Sequence, residues 1–151
     1  MEAYCVENKI TSPYESSLII DTKTYNYVIK KLRDFFNSRH FLEVSTQNRL
    51  SILAACEDPF NVNCFDYANE RWPLPQTGQM WLEHVLLKNP ELPGAFCVST
   101  SYRNEPNPVE GRHELIFPMF EFESKGDIND LHKLESDLLE HVGFEKNGEY
   151  P

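Results

Sequence analysis

The run Tyr102–Glu123, YRNEPNPVEGRHELIFPMFEFE, decides the architecture. Just ahead of it, Ala95–Tyr102 (AFCVSTSY) is rich in β-branched and aromatic residues, and inside it Ile116–Phe122 alternates large apolar side chains with Pro, Met and Glu. The intervening Asn104–Gly111 carries Pro106, Pro108 and Gly111 and can extend neither run. The pattern predicts an antiparallel hairpin with a long charged tip. Alternation puts Ser99, Ser101, Arg103 and Glu105 on one face of the first strand, and Phe117, Met119, Glu121 and Glu123 on one face of the return strand. A register that joins those faces lines one surface with a guanidinium, an aromatic ring and carboxylates.

Such a surface suits a nucleotide and an amino acid. A planar guanidinium pairs two-pronged with phosphate or carboxylate oxygens. Phe117 offers a face for a purine, while Arg112 and His113 at the loop end are placed to reach a polyphosphate tail. On residue types alone, a surface hairpin with ordinary solvated charges stays open as the alternative.

The stretch resembles motif 2 of the class II aminoacyl-tRNA synthetases, in particular the aspartate, asparagine and lysine subgroup. The pattern there is aromatic-Arg-x-Glu, a loop, then Arg-His-x-x-x-Phe-x-x-x-Glu, and Tyr102, Arg103, Glu105, Arg112, His113, Phe117 and Glu121 fall into its register. Ile116 stands where the subgroup usually has Glu. A second segment points the same way. From Thr24 to Ser38, Tyr25, Val28, Ile29, Leu32, Phe35 and Phe36 recur at helical spacing, with Asp21, Thr22 or Thr24 available as N-cap, and a short strand Phe41–Thr46 follows. This pair resembles motif 1 through Phe41, Glu43, Val44 and Thr46, with His40 in place of the usual Gly and Gln47 in place of the signature Pro. Third, Leu74–Gln79 resembles the subgroup's Leu-x-x-Ser-Pro-Gln segment, with Thr77 and Gln79 in the amino-acid-pocket places and Gly78 replacing Pro. Without the other motifs, it reads as a helix start capped by Thr77 and running through Lys88, ended by the Pro90 and Pro93 region.

The remaining chain is read from its residues. Arg49–Ala55 is a short helical or strand segment, and Glu57-Asp58-Pro59 a turn. Asp127 is placed to cap a helix with Leu131, Leu134, Leu138, Leu139 and Val142 on one face, stopped by Gly143. His132 and His141 lie nine residues apart on it and read as solvated.

Length and composition bound the rest. The 151 residues fit one domain. No apolar run approaches the roughly 20 residues that cross a bilayer, and Met1–Ser17 lacks the blocks of a signal peptide, so no membrane and a cytoplasmic location are expected. Cys5, Cys56, Cys64 and Cys97 are scattered, which indicates no metal site and no disulfide framework. The net charge of -10 is concentrated late, with 12 acidic and 4 basic residues from Asn104 onward against 12 and 10 before it. An acidic surface disfavours tRNA, because affinity for phosphate backbones comes mainly from Lys and Arg.

The resemblance implies an α+β fold, an antiparallel sheet flanked by helices, with motif 1 over residues 24–47 and motif 2 over 95–123 of a single domain. It implies that ATP and an amino acid are bound. Arg103 would bridge the substrate carboxylate and the α-phosphate, Glu105 and Phe117 would hold adenine, and Arg112 and His113 the outer phosphates. Thr77, Gln79, Glu121 and Glu123 would form the amino-acid end. Motif 3 and the family's magnesium-binding carboxylates have no counterpart after Gly143, so the sheet is expected to be incomplete and Mg2+ ligands to lie in a missing C-terminal part. A homodimer is expected from motif 1. The leading functional expectation is a stand-alone adenylate-forming ligase, for which the ammonia-dependent asparagine synthetases are a precedent. An inactive binding or dimerisation module, and a fragment of a conventional synthetase, remain the alternatives.

Overall fold

A computed structural model describes residues 21–46, 54, 57–58, 60 and 62–145. Residues 1–20 with Cys5, Gln47, the expected segment Arg49–Ala55 apart from Ala54, Cys56 and Pro59 of the expected turn lie outside the described residues. Helix α1 spans Thr22–Ser38, and of the three candidate caps Asp21 is the one used, its carboxylate accepting from Thr24 N at 2.8 Å. Its C-terminus closes by Phe41 N–H donating to Phe36 O at 3.1 Å while His40 takes φ 62°. That left-handed residue explains why the resembling enzymes place Gly there; His is among the residues that tolerate it.

Strand β1 covers only Leu42–Glu43, shorter than the expected Phe41–Thr46, although Val44 N adds one more bond to Phe96 O at 2.8 Å. Strands β2 (Cys64–Tyr67) and β3 (Glu70–Pro73) form a separate antiparallel hairpin. Helix α2 is Gln79–Lys88, β4 is Gly94–Tyr102, β5 is Ile116–Ser124, and α3 is Ile128–Val142. The main sheet has the order β1-β4-β5. Its centre is the expected antiparallel β4–β5 pair, and β1 joins the other edge of β4 in parallel. The sheet, antiparallel except for the short β1, and the three helices give the α+β architecture expected from the sequence.

Each face of the sheet has its own core. On one, Phe96 packs with Phe35 and Phe36 of α1, with Phe41, Phe120, Phe122, and with Leu134 and Leu138 of α3 around them. Gly94 is required beside this cluster, because a Cβ there would lie 2.2 Å from the Phe41 ring. On the other face, Leu82 of α2 covers Ala95 and Cys97, flanked by Val44, Val85 and Leu86. Of the expected α1 stripe, Ile29, Phe35 and Phe36 are buried, whereas Val28 is exposed. Arg33 holds Glu43 at 2.8 Å and Arg39 holds Asp137 at 3.3 Å, linking α1 to β1 and to α3. Both pairs are partly solvated and contribute little beyond orientation. Asp127 caps α3 in a reciprocal capping box with Asp130, and Gly143 ends it in the left-handed conformation, both as read from the sequence.

Candidate active site

The β4–β5 register sets Cys97 opposite Glu121, Ser99 opposite Met119 and Ser101 opposite Phe117, with Ala95 opposite Glu123 at the far end. Facing partners project to the same side of a sheet, so the two candidate faces do coincide. Arg103 continues the ladder, its N–H donating to Leu115 O at 2.8 Å and its Nε to Ser101 Oγ at 3.3 Å. The half-buried guanidinium is thereby anchored at one edge while its other N–H groups stay available. Phe117 is half-buried beside it, and Glu105 half-buried past the strand end.

The opposite end of the same face is acidic. Glu121 is contacted from the turn that leads into α2 and from β4: Oε1 accepts from Thr77 Oγ1, and Oε2 from Gly78 N at 2.7 Å and Ser99 Oγ at 3.0 Å. Cys97 Sγ stands 3.9 Å from Oε2. Burial first, and then the Glu121 charge, push the Cys97 thiol up to about 12, so it remains a thiol at neutral pH. Glu123 is raised above the usual carboxylate value, chiefly by burial; a hydrogen bond with Gln79 opposes the shift, and the charges of Glu83 and Glu121 add to it. The expected amino-acid end, Thr77, Gln79, Glu121 and Glu123, is therefore one cluster.

Arg112 and His113 belong to a different environment. They sit in an exposed turn at the hairpin tip, where both backbone N–H groups donate to Val109 O and Gly111 takes φ 74°. Val109 N donates back to His113 Nδ1 at 3.1 Å.

Two supporting residues carried no functional expectation. Gln76 is wholly buried, and its amide both accepts from Asp58 N and donates to Asp58 O at 3.0 Å, imitating a strand partner. Its carbonyl receives Ser101 Oγ at 2.8 Å, so one residue ties the loop before α2 to the strand that bears Arg103. Glu83 joins the cluster from the first turns of α2, four residues after Gln79, a spacing that shares a helix face. That spacing was visible in the sequence once Gln79 had been singled out.

Chemically, one face thus offers a guanidinium and a ring at one end and hydroxyls with carboxylates at the other. A zwitterion laid along it would meet opposite charges at its two ends. Among the described residues no group of three or more His, Cys, Asp or Glu is arranged to hold a metal ion.

A helix-backed antiparallel hairpin with this charge pattern defines a class II synthetase-like core. Residues 12–149 match the family described as tRNA synthetases class II (D, K and N), and the chain belongs to that family. An asparagine–tRNA ligase of Pelotomaculum thermopropionicum is 28% identical over 134 residues, covering 88% of this chain and 29% of the ligase. The asparaginyl-tRNA synthetase of Pyrococcus horikoshii, solved with asparaginyl-adenylate, superposes with a TM-score of 0.66 at 22% identity over 80% of this chain and 26% of that one. The Entamoeba histolytica asparaginyl-tRNA synthetase gives 0.64 at 24% identity with the same coverage. The chain therefore corresponds to well under a third of the length of these relatives. No helix among the described residues is long and apolar enough to cross a membrane.

Proposed function

We propose that this chain contributes the nucleotide and amino-acid face of an adenylate-forming ligase. The observation that carries the reading is the register that puts Arg103, Ser101 and Phe117 on the same face as Glu121 and Glu123, with Thr77 and Gln79 closing it from α2. Family membership, and the adenylate bound to the Pyrococcus relative, support ATP and an amino acid as the ligands.

In the reaction, a carboxylate oxygen of the amino acid attacks the α-phosphorus of ATP and the bond to pyrophosphate breaks. No protein nucleophile takes part; rate comes from positioning and from neutralising charge on phosphate. Arg103 binds the carboxylate and α-phosphate, Phe117 stacks on adenine, and Glu105 holds its edge. Arg112 and His113 meet the outer phosphates from the tip turn, which must fold toward the ligand to do so. Thr77, Gln79, Glu121 and Glu123 build the pocket for the ammonium end. Magnesium enters as a partner of ATP and screens its phosphates. A homodimer through α1 and β1 belongs to the same reading.

Calorimetric titration of ATP with magnesium into this chain and into Arg103→Ala tests it. Saturable binding that falls at least tenfold in the variant is expected; absence of binding to either protein overturns the proposal for this chain.

A further inference from the structure

We propose that Glu121 is a positioning residue, a latch that holds the Thr77–Gly78 turn and the start of α2 against the sheet, and that the substrate's ammonium group falls instead to Glu123 with Gln79 beside it. The proposal refines the pocket of the adenylate reading, although the latch itself stands without any substrate.

A carboxylate offers about four acceptor positions. Those of Glu121 face Thr77 Oγ1, Gly78 N, Ser99 Oγ and the more distant Cys97 Sγ, all from its own chain. An ammonium group arriving at Glu121 would have to displace one of these donors. Each displaced donor sits in a buried or half-buried site and would lose its partner there.

The latch also completes the helix. Gly78, the N-cap of α2, has no side chain with which to cap. Glu121 places a negative charge at that N-terminus from β5, on the face that α2 covers, where the helix dipole favours one. Thr77 Oγ1 relays the hold, donating to Glu121 and accepting from Gln79 N at 3.1 Å. Gly78 itself is pressed between elements: a Cβ would stand 2.7 Å from Cys97 Sγ, 2.9 Å from Thr46 Cγ2 and 3.2 Å from Glu121 Oε2. The turn that aims Gln79 is therefore fixed by Glu121 on one side and by β4 and the exit of β1 on the other. Glu123 lies two residues further along the same face, opposite Ala95, with Gln79 as its hydrogen-bond partner, and a carboxylate's roughly four acceptor positions leave room for an ammonium group beside that one bond.

Amide hydrogen exchange at Gly78 and Gln79, read by NMR on the full chain without substrate, tests the latch. Glu121→Gln retains the shape and one acceptor oxygen, so it is expected to fold. Exchange at both amides should rise roughly 10- to 100-fold in Glu121→Gln, as expected for weakening hydrogen bonds to a charged group, and should be unchanged in Glu123→Gln. Equal protection in wild type and Glu121→Gln overturns the latch, as does fast exchange of the Gly78 amide in the wild type. In ATP–pyrophosphate exchange with each amino acid in turn, Glu123→Gln is expected to raise the amino-acid KM at least tenfold with kcat nearly kept, and Glu121→Gln to lower kcat more than it raises KM. The reverse split overturns the ammonium assignment. Loss of ATP binding by the wild type would remove the adenylate reading while leaving the exchange result, and hence the latch, intact.

Discussion

The rings of Phe36 and Phe122 lie 4.8 Å apart between centroids, and Phe36 also meets Phe41, Phe96 and Phe120 at 5.2–5.6 Å. One side chain of α1 thus touches β4, β5 and the lead into β1 and holds the sheet that carries the site. Phe36→Ala removes a wholly buried ring and is expected to cost about 3–5 kcal/mol. Urea unfolding followed by circular dichroism measures it, and a loss below about 1 kcal/mol would contradict this packing.

Gly78→Ala tests crowding at the pocket. The backbone there, φ -92° and ψ 0°, accepts alanine, so the cost comes from the added methyl against Cys97, Thr46 and, less closely, Glu121. Overpacking of this kind costs about 1–3 kcal/mol. Cys97→Ala empties the nearest contact, so the two changes together should be less damaging than the sum of each alone. Additive unfolding energies would show that Cys97 is not what Gly78 avoids.

The hairpin, the three helices and both caps of α3 were legible because each carries a local signal: alternation, a 3.6-residue period, an Asp before and a Gly after. The β2–β3 hairpin was not. Its two turn residues, Ala68 and Asn69, both take positive φ (54° and 65°), but Ala-Asn lacks the Asn-Gly or Asp-Gly signature of such turns. Its strands are largely exposed, and so show no buried-face alternation. The shared face of the hairpin residues was legible from alternation, whereas the donors around Glu121 were not, since two of them, Thr77 and Gly78, lie more than forty positions away. Only tertiary packing brings a helix start beneath a strand carboxylate.

Asp127 supplies the next test. Backbone N–H bonds from Asn129 and Asp130 hold its carboxyl below the usual Asp value. A depressed folded pKa gives stability that is present above the unfolded value and lost as pH falls through the folded one. Asp127→Ala should lower Tm by roughly 2–4 °C at neutral pH, the size of one lost cap in a chain of this length. The difference from wild type should shrink below about pH 3, because protonation already weakens the cap there. A Tm difference independent of pH would rule out the charged cap.

Glu123 should behave in the opposite sense. Burial is the leading cause that raises its pKa from the ordinary 4.5, and the neighbouring Glu83 and Glu121 charges add to it. A raised carboxyl pKa means that the folded state binds the proton more tightly. Its contribution is therefore fully present below the unfolded value and is lost as pH rises through the folded one. At neutral pH the half-buried charge is a net cost, kept modest by solvent screening. Glu123→Gln, which removes the charge but keeps the shape, should gain stability relative to wild type as pH rises from about 4 to 7. Denaturant melts of the two proteins across that range measure the gain, and a pH-independent difference would show that Glu123 titrates as it would in the unfolded chain. Acquiring stability while losing affinity for the amino acid is the pattern expected of a charge held in place for a cationic ligand.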